Sequence, residues 1–234
     1  MLKPKKKITK KEIKQDSLVT AYAETTKFYY ENKKLISYAV TALVIVVILA
    51  LVYMNNRKQN NEKAATELGK VFTLYDNGAS DHKQYKTAID GQPERGIMGL
   101  KAIVDNYGST QAGELARFYL ASAYYQLGQF DDALPQFESF GNGSDFLKAS
   151  ALAGAGGCYE AKGQFDKAAS AFEKAAGTIS DPLNTPDYLS SAARCYGRAG
   201  NKSKAVSLYK LLKKEYPTST YAHEADKFIA EYSV

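Results

Sequence analysis

The sequence predicts an all-α protein in which one transmembrane helix is followed by an α-solenoid of helix-turn-helix hairpins with a C-terminal capping helix. Two observations lead to this fold class. Residues 35–54 form an apolar run of twenty residues without a charge. After it, four glycines recur at intervals of 35 to 37 residues. A repeat of this length is typical of chains that stack similar hairpins, because one hairpin cannot bury its apolar face alone.

The net charge of +6 lies entirely in the N-terminal tail, residues 1–34. This tail holds ten lysines and four acidic residues, whereas the other 200 residues are electrically neutral. A nucleic-acid-binding domain spreads its basic charge over a folded face. The distribution therefore argues against nucleic acid as a partner.

The run at 35–54 predicts a transmembrane helix. At about 1.5 Å per residue it reaches roughly 30 Å, the thickness of the hydrocarbon core of a bilayer, and Tyr38 and Tyr53 lie near its ends, where interfacial aromatic residues belong. Length and flanking charge disfavour a buried core helix. A signal peptide has a shorter apolar region that ends in a small-x-small cleavage site, whereas this run ends in Tyr53-Met54. We therefore expect an uncleaved anchor in contact with membrane lipid.

The lysines of the tail predict the orientation of this anchor. The sixteen residues before the span hold three basic residues and the sixteen after it hold four, so the flanks are nearly balanced. The complete tail, with its ten lysines, determines the predicted orientation, because basic residues are retained in the cytoplasm. The prediction is a single-pass membrane protein with a cytoplasmic N-terminus and with residues 55–234 outside. In a bacterium, this means the inner membrane and the periplasm.

Residues 16–31 of the tail place apolar side chains at helical spacing, as an amphipathic helix at a membrane interface does. Each of the seven lysines before this segment adds about 1 kcal/mol of attraction when it lies close to an anionic membrane surface. A solvated tail that only sets the orientation explains the same residues, and both interpretations stay open. The apolar stripe consists of Leu18, Tyr22, Thr25 and Tyr29, with Val19 and Phe28 beside it.

The repeat is marked by Gly91, Gly128, Gly163 and Gly200. Apolar residues recur at helical spacing on both sides of each of the last three glycines, which predicts helix, turn and helix. The glycine suits a left-handed turn that ends the first helix, and the residue three positions later is expected to cap the second helix. These expected caps are Asp131, Asp166 and Ser203. The aligned positions are a tiny residue (Ala121, Gly156, Ala193), a tyrosine (Tyr124, Tyr159, Tyr196), an alanine (Ala133, Ala168, Ala205) and a second aromatic residue (Phe137, Phe172, Tyr209).

The rest of the repeat domain, residues 94–234, follows from this alignment. The complete units span 114–147, 149–182 and 186–218. Residues 94–108 match 203–217, so 94–106 is expected to be the second helix of a partial unit, and 219–232 a lone closing helix. The linker 55–93 combines a helix over 58–75 with an irregular segment, 76–92, that is either a loop or a degenerate short helix.

The small–tyrosine–glycine–alanine–aromatic pattern resembles the tetratricopeptide repeat, whose unit is about 34 residues. The tryptophan that the family has early in its unit is replaced by Arg117, Leu152 and Leu189, and the closing proline is in register only at Pro217. The resemblance implies a partner-binding groove lined by the first helices. Its positions would be Leu115, Phe118, Ser122, Tyr125 and Gln126 in the first unit, Ser150, Ala153, Gly157, Glu160 and Ala161 in the second, and Asp187, Ser190, Arg194, Gly197 and Arg198 in the third.

Two features of this chain bear on chemistry. Arg194 and Arg198 lie four residues apart on one helix face and are candidates to bind a carboxylate of a partner; an ordinary solvated face is the alternative.

Cys158 and Cys195 occupy equivalent repeat positions, about 8–10 Å apart on packed helices. That separation favours small buried thiols over a disulfide, which needs Cα atoms within about 7 Å.

We find no catalytic, cofactor-binding or metal-binding motif in the sequence. HExxH, GxSxG and GxxxxGK[ST] do not occur, and the two histidines, His82 and His223, are isolated. An enzymatic function is therefore not expected.

The whole layout, with a short cytoplasmic tail, one span and periplasmic repeats, resembles the YfgM-like family of ancillary subunits of the bacterial Sec translocon, and the lysine-rich start is similar to Bacteroidetes-type relatives. The segment KFYYENKK at 27–34 is similar to that family's entry into the span. The resemblance implies a non-enzymatic subunit beside SecYEG and the prolyl isomerase PpiD that binds chaperone partners or emerging secretory and outer-membrane proteins. A scaffold for another cell-envelope complex is the alternative.

Overall fold

The structure, a computed structural model, describes residues 17–233. The chain divides into two compact units, Met1–Asn56 and Arg57–Val234. The first seven lysines lie outside the described residues, as does the start of the expected amphipathic segment. The described part of the chain is all-α apart from one two-residue strand pair.

The described part of the N-terminal unit holds helix α1, Ser17–Glu31, and the beginning of helix α2, Lys33–Asn77. Backbone hydrogen bonds continue across the junction, because Asn32 N donates to Phe28 O at 3.0 Å and Ile36 N donates to Asn32 O at 2.9 Å. The aromatic side chains of α1, among them Tyr22 and Phe28, are exposed. That α1 lies at a membrane interface stays a prediction, as does the alternative that it is a solvated helix.

The apolar run lies in α2, which is 45 residues long. Its most apolar window has a mean hydropathy of 2.9, and none of that window is buried inside the protein. In water such a surface would be strongly unfavourable, whereas a bilayer solvates it. Within residues 17–233, α2 is thus the one candidate membrane span. The helix expected over 58–75 is the later part of α2, since the polar residues 55–58 include neither glycine nor proline to end it.

A compact insertion occupies the segment expected to be irregular. Helix α3 spans Lys83–Asp90, and strands β1 (Gly91–Gln92) and β2 (Ile97–Met98) pair antiparallel around a short 3₁₀ turn, Pro93–Arg95. Gly91 has a φ of 81°, and a Cβ there would lie 2.4 Å from the Gly99 nitrogen. The helix expected over 94–106 begins later: α4 spans Leu100–Tyr107, because Pro93, Gly96 and Gly99 place the turn and the strand first.

Three hairpins and a closing helix follow α4. Their turn glycines, Gly128, Gly163 and Gly200, have φ values of 72°, 71° and 88°, which confirms the left-handed turn predicted at these positions. The first hairpin comprises α5 (Gln111–Gln126) and α6 (Phe130–Glu138). The second comprises α7 (Asp145–Ala161) and α8 (Phe165–Thr178). The third comprises α9 (Thr185–Arg198) and α10 (Lys202–Glu215), and α11 (Thr220–Tyr232) closes the domain.

The capping positions predicted for the second helices are wrong by two residues. The residues that precede these helices are Gln129, Gln164 and Asn201, of which Asn201 accepts a hydrogen bond from Lys204 N at 3.2 Å. The glycine turn leads into the helix within one residue, so Asp131 and Asp166 already lie in the first helical turn. There their charge interacts favourably with the positive end of the helix dipole.

The later part of α2 completes the leading hairpin, whose first helix the sequence had left unassigned. Its buried face joins one cluster with α4 and α5, and the Asn61 side chain accepts a hydrogen bond from Ala112 N at 2.8 Å. The spacing of the buried residues of α2 is three or four, as expected for a helix that packs on one side. These residues are Ala64, Leu68, Val71 and Leu74.

Candidate functional site

The predicted groove positions lie on helices α5, α7 and α9, the first helices of the three hairpins. Their spacing places them on one face of each helix. All are half-buried or exposed, as side chains that line a surface should be. On α5 they are Leu115, Phe118, Ser122, Tyr125 and Gln126; on α7 they are Ser150, Ala153, Gly157, Glu160 and Ala161; on α9 they are Asp187, Ser190, Arg194, Gly197 and Arg198.

The middle of this face joins α5 to α7 through Tyr125. A Cβ on Gly157 would lie 2.8 Å from the Tyr125 hydroxyl, so the absence of a side chain at 157 lets the tyrosine ring extend across α7. Burial raises the pKa of Tyr125, and the nearby charge of Glu160 adds to this rise while that of Arg194 opposes it. Residues from all three first helices therefore meet here.

Glu160 is bound by Arg194 and Arg198, the two arginines that the sequence predicted to bind a carboxylate of a partner. Its Oε1 accepts hydrogen bonds from the guanidinium of Arg194 and, at 3.3 Å, from Nη1 of Arg198. Burial alone would lower the pKa of Arg194, but the bond to Glu160 outweighs it and the pKa is raised. The Arg198 guanidinium also stacks on the Phe165 ring, 4.3 Å from its centroid. The pair binds a carboxylate, as its spacing suggested, but this carboxylate belongs to the same chain.

The apolar end of the face is built on Leu115. Two depressions of about 410 and 360 Å³ adjoin it, one toward Leu147 and the other between α2 and α5. The second depression is lined by Phe72 and Tyr119, whose rings contact each other edge to face at 5.3 Å. Sequence reasoning missed the residues of α2, although Ala65, Leu68, Gly69 and Phe72 follow helical spacing. Phe118 contributes less than predicted, since its ring packs against Phe137 and Phe140.

The closing helix α11 covers part of the opposite end. A Cβ on Gly197 would lie 2.3 Å from the Tyr232 ring, so this predicted groove position is occupied by an aromatic side chain of the same chain. Tyr232 in turn stacks with Tyr209, whose pKa burial raises to about 12. Tyr221, also on α11, lies close enough to Asp187 for the carboxylate to add to the rise that burial causes in the tyrosine pKa. The α9 end of the groove is therefore partly covered, whereas the two depressions beside Leu115 adjoin its other end.

Two segments of the chain, residues 115–142 and 189–219, match the family model of the tetratricopeptide repeat. The protein contains tetratricopeptide repeats. The hairpin α7–α8 lies between the matched segments and has the same glycine turn, so the tetratricopeptide-repeat fold is continuous from α5 to α10. Such repeats are protein–protein interaction scaffolds. No curated protein matches the sequence.

A contact between successive tetratricopeptide repeats lies outside the predicted groove positions. We call the contact of hairpin α5–α6 with α7–α8 the first joint, and that of α7–α8 with α9–α10 the second joint. In the first joint, the Tyr159 hydroxyl donates to Glu138, and Lys167 lies over the Tyr159 ring, 5.4 Å from its centroid. The glutamate stands ten residues after one turn glycine, and the lysine four residues after the next.

The second joint repeats this contact at equivalent positions. The Tyr196 hydroxyl donates to Glu173 Oε2 at 2.7 Å, Lys204 lies 5.0 Å from the centre of the Tyr196 ring, and its amine is 2.9 Å from Glu173. Burial would raise the pKa of Glu173, but the bonds from Lys204 and Tyr196 outweigh it and lower the pKa. Sequence reasoning assigned the tyrosine a packing role and missed its charged partners, although the spacing from each glycine is visible in the sequence.

The cysteines are buried and unpaired, as predicted from their repeat positions. Burial raises the pKa of Cys158 to about 11 and that of Cys195 to about 12, so both stay protonated near neutral pH. A thiol that is buried and protonated is a poor nucleophile. Among residues 17–233, no cluster of three or more metal-ligating side chains occurs.

Proposed function

We propose that the protein is a non-enzymatic ancillary subunit of the SecYEG protein translocon, anchored in the bacterial inner membrane with its repeats in the periplasm. The observation that carries the proposal is the composition of α2. This one helix contributes an uncharged segment long enough to cross a bilayer and, further along, the buried residues of the leading hairpin. In this proposal the helix ties an interaction scaffold to a membrane.

The orientation in this proposal rests on the charge of the tail. Ten lysines precede the span within residues 1–34, whereas the sixteen residues after it hold four basic residues. The positive-inside rule then places the N-terminus in the cytoplasm and the repeat domain on the other side. A cysteine-labelling experiment in intact and permeabilised cells, with a single cysteine introduced at exposed Ser180, tests this placement.

The translocon role in this proposal rests on the resemblance to the YfgM-like family. The groove between α2 and α7 supports it, because its apolar surface around Leu115 suits segments of unfolded secretory or outer-membrane proteins, or of a PpiD-like isomerase. The role of the groove would be to hold a polypeptide near the translocon exit until a chaperone takes it over.

Recovery of complexes from gently solubilised membranes tests this function. Full-length protein should enrich SecYEG and a PpiD-like isomerase, and Leu115→Asp should reduce recovery of the isomerase or client while leaving SecYEG recovered through the span. The matched control is Leu211→Asp, a charge introduced at an exposed leucine of α10. Enrichment of another complex without SecYEG would refute the translocon role.

The second candidate is a scaffold for another cell-envelope complex. The observation that favours it is the coverage of the groove end near α9 by Tyr232 and by the Glu160–Arg194 contact, which leaves a short site suited to one fixed segment. In that case Tyr125→Ala should abolish one defined interaction in the same pull-down and leave the recovery of diverse secretory clients unchanged.

A further inference from the structure

A cleft lies on the back of α7, opposite the predicted groove. Its volume is about 550 Å³, and it opens between α6 and α8. Phe137, Phe140 and Leu152 form an apolar floor together with alanines of α7. On a helix with 3.6 residues per turn, Ala151 and Ala155 point away from Ala153 and Gly157, which belong to the groove face. The cleft and the groove are thus separate surfaces.

The cleft exists because α6 is short. It has nine residues, whereas its equivalents α8 and α10 each have fourteen. The chain leaves the helix at Ser139 and turns through Gly141-Asn142-Gly143 into α7. The five missing residues correspond to about 7.5 Å of helix, or nearly one and a half turns. This length of α7 and α8 is left without a covering helix.

The second joint shows what fills the same space when the helix is complete. Leu152 and Leu189 are equivalent, because each stands eleven residues before a turn glycine. Leu189 is only 6% exposed and lies in one cluster with Ala175 and Ala176, from the last turns of α8, while Ile179 packs against that cluster. Leu152 packs against the same cluster from α7 but remains half-buried. A helical turn that presents small residues and one branched aliphatic side chain is the chemistry that fits this space.

Two lysines line the end of the cleft that lies at the start of α7. Lys148 stands near the start of α7 and Lys174 near the end of the antiparallel α8, so both line the same end. Lys148 is 3.2 Å from Asp145, an exposed residue, and Lys174 is itself exposed. At the other end, Glu138 is already bound by the Tyr159 hydroxyl, and Asp166 and Lys167 contribute opposite charges. The end with the two lysines therefore complements negative charge.

We propose that this cleft docks a short helical segment of a partner protein, with one aliphatic side chain directed at Leu152 and carboxylates directed at Lys148 and Lys174. The segment takes the place of the turns that α6 lacks. The site is independent of the groove and of the proposed translocon role, and it gives the protein a second docking surface on the opposite side of α7.

A designed peptide tests the proposal. The probe carries residues 168–179 of this chain, which end in the isoleucine that fills the second joint, followed by two glutamates; a lactam bridge on the face away from Ile179 keeps it helical. A matched peptide ends in two lysines. Binding of each fluorescein-labelled peptide to the full chain in phosphatidylcholine nanodiscs is measured by fluorescence anisotropy, and we expect the acidic peptide to bind about tenfold more tightly than the basic one.

Variants of the cleft make the test specific. Ala171→Trp fills the cleft and should weaken the acidic peptide at least tenfold. The double variant K148E/K174E should weaken it about tenfold and reverse the preference between the two peptides, which a loss of folding would not do. Lys210→Glu, at an exposed lysine of α10, is the control and should change binding less than twofold. Leu115→Asp in the groove should likewise leave peptide binding intact.

Three results would overturn the proposal. They are equal affinity of wild-type protein for the two peptides, unchanged binding in K148E/K174E, and unchanged binding in Ala171→Trp. Decanoate serves as the probe for an acyl chain. If decanoate binds the wild type, fails to bind Ala171→Trp, and neither peptide binds, the cleft takes a lipid and not a helical segment.

Discussion

In both joints of the repeat domain a tyrosine donates to a glutamate and lies under a lysine, but the joints differ in what covers them. In the second joint, the last turns of α8 bury Leu189. In the first joint, α6 ends early and leaves Leu152 at the floor of a cleft. The polar contact is thus common to both joints, whereas the second helix differs in length, and the shorter helix leaves an apolar surface beside it exposed in a cleft.

The largest expected difference is between the losses of stability caused by truncating Leu189 and Leu152. Leu189→Ala removes a fully packed side chain and should lower the free energy of unfolding by about 2–4 kcal/mol, because it leaves a cavity in the second joint. Leu152→Ala should lower it by about 1 kcal/mol, because half of the side chain already faces the cleft. Urea denaturation followed by far-ultraviolet circular dichroism measures both. Equal losses would mean that the two joints are equally well packed.

A second prediction concerns the carboxylate that bridges α7 and α9. Glu160→Gln removes the charge between Arg194 and Arg198 and should destabilise the repeat domain by about 1–2 kcal/mol, a typical loss for a hydrogen bond to a charged group. The same urea titration measures it. Asp132→Asn, at an exposed carboxylate of α6, provides the comparison and should change stability by less than about 0.5 kcal/mol.

A third prediction tests the second joint through its pH dependence. The pKa of Glu173 is lowered in the folded protein from its ordinary value of 4.5. Its contribution to stability is therefore present above pH 4.5 and is lost as the pH falls through the lower pKa of the folded state. Thermal melts between pH 6 and pH 3 should show a smaller acid-induced decrease in Tm for Glu173→Gln than for the wild type. An identical decrease in both would contradict the assigned role of Glu173.

The smallest expected losses of stability come from substitution of the two lysines, Lys204 in the second joint and Lys167 in the first. Lys204 lies over Tyr196 and also pairs with Glu173, so Lys204→Met should lower stability by about 0.5 kcal/mol, as expected for an exposed ion pair. Lys167 makes only the ring contact within its joint, and Lys167→Met should have a still smaller effect. A double-mutant cycle with Glu173→Gln measures the coupling. Absence of coupling between Lys204 and Glu173 would show that the ion pair adds nothing to the joint.

The helical repeat could be predicted from the sequence because its determinants are local. A glycine at a left-handed turn and apolar residues at helical spacing act within one hairpin, and Gly128, Gly163 and Gly200 all adopt the predicted conformation. The helix starts were missed by two residues, because the geometry after the turn, and not the capping preference of Asp131 or Asp166, determines where the helix begins.

The features that the sequence did not reveal depend on contacts between distant segments. The helix of the leading hairpin was assigned to a linker, since nothing in residues 58–75 shows that Leu68 packs against α4 and α5. The contact of Glu160 with Arg194 and Arg198 was not predicted, for the same reason. Glu160 was among the predicted groove positions, but the spacing within α9 shows only that Arg194 and Arg198 share a face, and not that a carboxylate of α7 reaches them.

The position of Glu160 has a consequence for selectivity. A carboxylate of a ligand that approaches Arg194 or Arg198 competes with one that is tethered in place, whose effective concentration is on the order of millimolar or higher. A free acidic group at micromolar concentration cannot displace it. A ligand reaches the arginines only if it gains affinity elsewhere along the groove, for example at Leu115. In the proposed binding role, the arginine end would thus admit only ligands that engage both ends of the groove at once.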